Sequence, residues 1–203
     1  MKQAPVTAIW ISAAFCTALG LAAAALAMFG IGTIGLVRAL QVTTRFSFLL
    51  FWLAYAGGAL KTLFGPAYQN IAWRGRDFGL AFVAAHLVPV GLVAWFYQIA
   101  AFPLTSPGLV WFFAAGLAAS YALVLLSIER VAHALGHLRW RIMRVTVMEF
   151  ISLAFLIEFL SHPLGASIQG FLLYVPFATL SILGTFMRLA AWASRGVAVT
   201  KHV

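Results

Sequence analysis

The chemistry open to this chain rests on few side chains. Its 203 residues include four carboxylates and five histidines. Hydrolysis or group transfer needs a nucleophile, a base and an orienting group that converge. These residues are scattered, and Ser161 beside His162 is too little to build on. His86 stands inside an apolar run, where an ionisable residue is by default a functional candidate; the alternative is a neutral imidazole hydrogen-bonded to a neighbouring helix. His133 and His137, four apart, would share a helix face and could hold a metal together. Glu129 is the one acid within reach, so a solvated or headgroup-facing helix is the better reading. Glu149 and Glu158 are nine residues apart, on opposite faces of a helix, which excludes a carboxylate dyad. Glu149 lies close to a basic cluster and is expected to pair with Arg144 or another arginine. Glu158 and His162, one turn apart, are expected to meet. A single cysteine, Cys16, allows neither an intrachain disulfide nor a thiolate metal site.

The elements that must position these residues follow from composition. Hydrophobic residues make up 64% of the chain and charged residues 8%, against roughly 45–50% and about 25% in soluble domains. Such a chain cannot cover itself with polar surface in water. Lipid accepts it as helices, because a helix satisfies its own backbone hydrogen bonds. About 20 apolar residues cross ~30 Å of hydrocarbon, and six runs qualify: Ala8 to about Val37, Phe46 to Leu63, Phe78 to Tyr97, Leu109 to Ile128, Val145 to Leu164 and Phe171 to Leu189. Lys61 can snorkel from the end of the second. Gly65-Pro66, the stretch from Pro103 to Gly108 and that from His162 to Gly170 carry turn signals. The expected fold is an all-α bundle of about six transmembrane helices in a single domain. Residues 129–144 are expected to form a basic amphipathic helix at the cytoplasmic surface.

Orientation follows from lysine and arginine. Eleven of the thirteen fall on one side of the six runs, and only Arg38 and Arg45 on the other. This predicts a multi-pass protein of the inner or plasma membrane with both termini in the cytoplasm. Trp10, Trp73, Trp140 and Trp192 fall near one set of run ends, and Trp95, Tyr97 and Trp111 near the other, as an aromatic belt requires. A formal charge of +9 would suit nucleic acid only on one soluble face; distributed between apolar runs it reads as topology, and no nucleic-acid partner is expected. The first run also fits a cleaved signal peptide, with Lys2 before it and Ala25-Leu26-Ala27 as a cleavage-like site, but it is too long for one. No soluble domain and no flavin or nucleotide site is visible in the chain, so a separate partner must supply such chemistry.

Several short motifs carry a resemblance. Thr44-Arg45 leads into the second run. Arg74-Gly75-Arg76 precedes Phe78-Gly79-Leu80-Ala81-Phe82, with His86 deeper in the same run, and Leu138-Arg139-Trp140-Arg141 precedes the fifth. In these features, helix count and orientation, the stretch from Gln41 to Leu189 resembles the ferric-reductase-like transmembrane domain. That six-helix b-haem core is shared by ferric reductases, NADPH oxidases and the membrane partner of periplasmic methionine sulfoxide reductase. The resemblance implies transmembrane electron transfer through haem b, fed by a separate reductase or a quinone, with histidines of the third and fifth spans as axial ligands.

The chain departs from that pattern. Arg144 stands where the family has its first fifth-span histidine, and Ile157 occupies the position thirteen residues on. Trp73 and Ile99 stand thirteen residues either side of His86, and Pro89 lies one turn beyond it. Both spans run in the same direction, so His86 should be level with about Leu153. His162 would lie ~13 Å further along, too far to share one iron. The resemblance thus leaves His86 as a candidate haem ligand and His162 as a weak one. The missing histidines favour a second reading, a haem-free assembly or anchoring subunit of the same architecture. A small-molecule carrier is a third, without the paired repeats or broken helices such proteins show.

Overall fold

A computed structural model describes residues 4–99, 107–161 and 168–200 of the chain. Among these residues the regular structure is entirely helical: α1 (Ala4–Phe29), α2 (Thr33–Phe64), a 3-10 turn (Pro66–Tyr68), α3 (Gln69–Trp73), α4 (Gly75–Ile99), α5 (Pro107–Leu126), α6 (Glu129–Leu135), α7 (His137–Ser161) and α8 (Ile168–Thr200). Four stretches are long and apolar enough to cross a membrane: Val6–Phe29, Thr33–Phe64, Gly75–Gln98 and Leu173–Ser194. Ala114–Leu126 becomes a fifth if it is taken together with Glu129–Leu135 across a 92° bend. Although α7 is 25 residues long, it carries Arg144, Glu149 and Glu158, so it is not apolar throughout.

The first two runs are divided differently from the sequence expectation. The apolar stretch from Ala8 to Val37 is not one span, because the chain turns at Gly30, whose φ of 83° is left-handed and costs an L side chain energy. Within the same turn, a Cβ at Gly35 would overlap the carbonyl oxygen of Gly30, so only glycine lets α2 start so close to the end of α1. As a result α2 begins at Thr33, not near Phe46. It runs 32 residues, ~48 Å at 1.5 Å per residue, and takes Arg38 and Arg45 into its own length.

A second correction falls at 129–144. That stretch is not one amphipathic helix, because Gly136 (φ 73°) ends α6 and α7 starts immediately after it. Trp140, in the first turn of α7, donates its Nε1 proton to the carbonyl of Leu126 at 2.7 Å. This occupies one of the carbonyls that the end of α5 leaves unpaired.

Two large seams hold most of the helices together, beside a smaller one formed by Ala56, Ala59, Leu60, Met187 and Ala191. Along α1, Ala14, Ala18, Ala22 and Ala25 recur at helical spacing against Leu36 and Ala39 of α2 and Ala81, Ala85, Val88 and Leu92 of α4. Small side chains let helix backbones approach closely, which is how helices pack where water provides no drive between them. The other large seam is aromatic: Phe48, Phe51 and Tyr55 of α2 meet Phe82 of α4, Phe155 and Phe159 of α7 and Tyr174 of α8. Each well-oriented ring pair adds about 0.5–1.5 kcal/mol, and Phe48 alone meets Phe155, Phe159 and Phe177 edge-on at 4.9–6.1 Å. Trp52 and Gly184 seal the join of α2 to α8. The indole donates to the carbonyl of Leu180 at 2.7 Å, and a Cβ at Gly184 would stand 3.0 Å from its Nε1.

Several cations rest on aromatic rings. At one end, Arg74 covers the Trp10 ring at 5.6 Å, Trp10 packs on Phe78, and Thr7 donates to Asp77 at 2.7 Å. Arg76, Arg144 and Arg188 lie at the same end. Arg38 and Arg45 lie toward the other, where Arg38 covers Phe29 at 5.9 Å.

Candidate functional site

His86 lies in the middle of α4 against the aromatic seam. Its ring centroid is 5.3 Å from that of Phe82, one turn earlier, and 5.9 Å from that of Phe155 on α7. Nδ1 is buried and makes no hydrogen bond, so the sequence alternative of an imidazole bonded to a neighbouring helix is not realised at that nitrogen. A buried polar atom without a partner carries a free-energy penalty and calls for an explanation.

A haem clamped between α4 and α7 would need a flat slot and a second ligand facing His86. The residue facing it is Phe155, two positions from the level inferred by counting along the spans. The Phe155 ring also packs on Phe48, Phe51, Phe82 and Phe159. These residues do not fit a haem between α4 and α7 at this depth, since the plate would take the place of the Phe155 ring. His162, the weaker candidate, lies outside the described residues.

His133 and His137 do not share a helix face. The first belongs to α6 and the second opens α7, with the Gly136 turn between them. Among the described residues, no group of three or more histidine, cysteine or acidic side chains is placed to hold a metal ion.

The structure assembles a polar junction that spacing alone could not reveal. Tyr55 of α2 donates its hydroxyl proton to Oε2 of Glu149 on α7 at 2.6 Å, and its oxygen lies 3.2 Å from Oγ1 of Thr185 on α8. Arg188 of α8 pairs with Oε1 of Glu149 at 3.0 Å. The same guanidinium donates to the Tyr55 carbonyl at 3.4 Å and lies 4.3 Å above the Tyr55 ring. Both carboxylate oxygens are thus engaged, and three helices meet at one charge pair. Sequence reasoning expected an arginine partner for Glu149 and did not identify Arg188. Arg188 lies thirty-nine residues further along the chain, and only the approach of α7 and α8 selects it over Arg144. Tyr55, set among apolar neighbours in its run, carried no signal of its role.

Nearer the other end, Arg45 of α2 lies over two rings of α8, 4.9 Å from the centroid of Tyr174 and 5.5 Å from that of Phe177. Its Nε and Nη2 are buried without a hydrogen bond. Gln41, one turn earlier, donates to the Tyr174 hydroxyl at 2.9 Å and accepts from Nη1 of Arg38 at 3.2 Å.

Compared with family models, with curated proteins and with solved structures, the chain finds no match.

Proposed function

We propose that the chain is a haem-free membrane subunit of the ferric-reductase-like architecture, which assembles with or anchors another membrane protein. In this reading α1, α2, α4, α5, α7 and α8 are six membrane spans, and the lysine and arginine asymmetry sets both termini on the cytoplasmic side of a cell membrane. The observation that carries it is Phe155: the space opposite His86 is filled by a ring with four aromatic neighbours besides the imidazole, which is how a packed interior is built and not a cofactor slot. The ionisable groups near His86 are sparse, so in this reading the subunit contributes chiefly its helical frame.

A second reading has one observation in its favour. The unpartnered Nδ1 of His86 is a nitrogen left for something to occupy, and a b-type haem held by this single histidine, as in globins, would make the chain an electron-transfer component served by a separate reductase or a quinone. That arrangement requires the Phe155 ring to swing away.

One preparation separates the two. Purified from haem-replete cells and recorded oxidised and then dithionite-reduced, the protein is expected to show no Soret band and to bring down a stoichiometric membrane partner. A Soret band that shifts on reduction and disappears in His86→Ala would overturn the haem-free reading and establish the second.

A further inference from the structure

At the inner end of the helices, as oriented above, α2, α3, α4, α7 and α8 border an open cleft of about 430 Å³. This is the size range of small-ligand sites, roughly 300–1,000 Å³. Four arginines, Arg76, Arg141, Arg144 and Arg188, line it. Two of the four are matched by acids: Arg188 by Glu149 and Arg76 by the well-exposed Glu129 at 3.6 Å. Arg141 and Arg144 pair with no carboxylate among the described residues.

Arg144 is the telling member. It is half-buried, it faces the like charges of Arg188 and Arg76, and it lies 5.3 Å from the centre of the Trp140 ring. Arginines that served topology alone would spread into water or headgroups, where repulsion between them is small. Here like charges stay together around one open cleft, and an anion within that cleft would relieve the repulsion. The guanidinium fork matches the oxygens of a phosphate, with several N–H donors in one plane. The aromatic wall is also appropriate: Trp73 is 72% exposed at the rim, where an indole sits at headgroup depth.

We propose that this cleft binds a phosphate ester, carried either on the headgroup of an anionic phospholipid or on a small phosphorylated molecule, with Arg141 and Arg144 as the principal donors. Arg188 is held by Glu149 and Tyr55 and supplies a fixed positive wall. The site is independent of what occupies the space beside His86.

The test uses the full chain in neutral detergent and reads tryptophan fluorescence, since Trp73 and Trp140 line the cleft. Mixed micelles containing phosphatidylglycerol, micelles containing phosphatidylcholine, and inorganic phosphate are titrated separately. A saturable change with phosphatidylglycerol that phosphatidylcholine does not give assigns the lipid source, and a saturable change with inorganic phosphate alone assigns the free phosphorylated molecule. In either case Arg144→Gln weakens the apparent affinity about tenfold or more, the loss of one to two charge-assisted hydrogen bonds, and Arg38→Gln, at the other end of α2, leaves it unchanged. Arg141 is exposed on the first turns of α7, so Arg141→Gln provides the same comparison if the Arg144 variant does not fold. No saturable response to any of the three probes, equal responses to the two lipids, or an unchanged affinity in both the Arg144 and Arg141 variants would overturn the proposal.

Discussion

Arg45 and Arg188 pose the same problem at points ~15 Å apart, toward opposite ends of one helix pair, and are accommodated differently. Arg188 reaches from α8 to α2 and lies on the Tyr55 ring, and Arg45 reaches from α2 to α8 and lies on those of Tyr174 and Phe177. Only Arg188 has a carboxylate, and Glu149 brings a third helix into the junction. Arg45 has ring faces and two buried nitrogens with nothing to donate to. A carboxylate oxygen specifies a direction, so the Arg188 end locks α2, α7 and α8 in one register. A ring face attracts a cation without specifying its rotation, so the Arg45 end holds α2 to α8 more permissively.

The largest effect should follow from breaking the directed junction. Arg188→Met is expected to lower stability by about 2 kcal/mol, because Glu149 is left partly buried beside a lost hydrogen-bonded partner. Detergent-driven unfolding in mixed micelles measures this, and pairing the change with Glu149→Gln should recover part of the loss. The figure is kept low because the Glu149 side chain is 43% exposed and Arg188 22%, so the surroundings screen the pair. Tyr55→Phe removes one hydrogen bond to the same carboxylate and should cost about 1 kcal/mol; additivity with Arg188→Met would show that the three side chains do not act as a unit. Arg45→Met is expected to change stability least, by about 0.5 kcal/mol or less in either direction. The lost cation–ring attraction, about 0.5–1 kcal/mol at a partly solvated site, is offset by removing a charge whose hydrogen bonds are not all made. A loss at Arg45 as large as that at Arg188 would erase the distinction between the two ends.

The legibility of these features in the sequence follows the range of the forces behind them. Apolar composition over some 20 residues is a local property, and it announced helices at each of the six runs, although one was joined across a glycine turn. The error between Ala8 and Val37 arose because Gly30 and Gly32 resemble the glycines tolerated within membrane helices. What ends α1 is a left-handed φ at Gly30 and a backbone contact at Gly35, neither of which hydropathy encodes. Gly136 caused the second difference in the same way, dividing the basic stretch and separating His133 from His137. At the site, the level of α7 that faces His86 was readable to within two positions by counting residues along two helices. That its neighbour is an aromatic ring within a cluster drawn from α2, α4 and α7 was not, because that packing depends on helix rotation.

Taken alone, the sequence determined the solvent of this chain and the distribution of its charge. Transfer of uncharged helical segments into hydrocarbon is additive along the chain, and how sparsely arginine and lysine fall within the apolar runs is read directly from the residues. Tertiary structure alone decided which arginine reaches Glu149, which ring lies against His86, and that four arginines line one cleft. Each of these depends on how two helices are turned about their axes. That angle is set by close packing between side chains far apart in the chain, so no local stretch of residues specifies it.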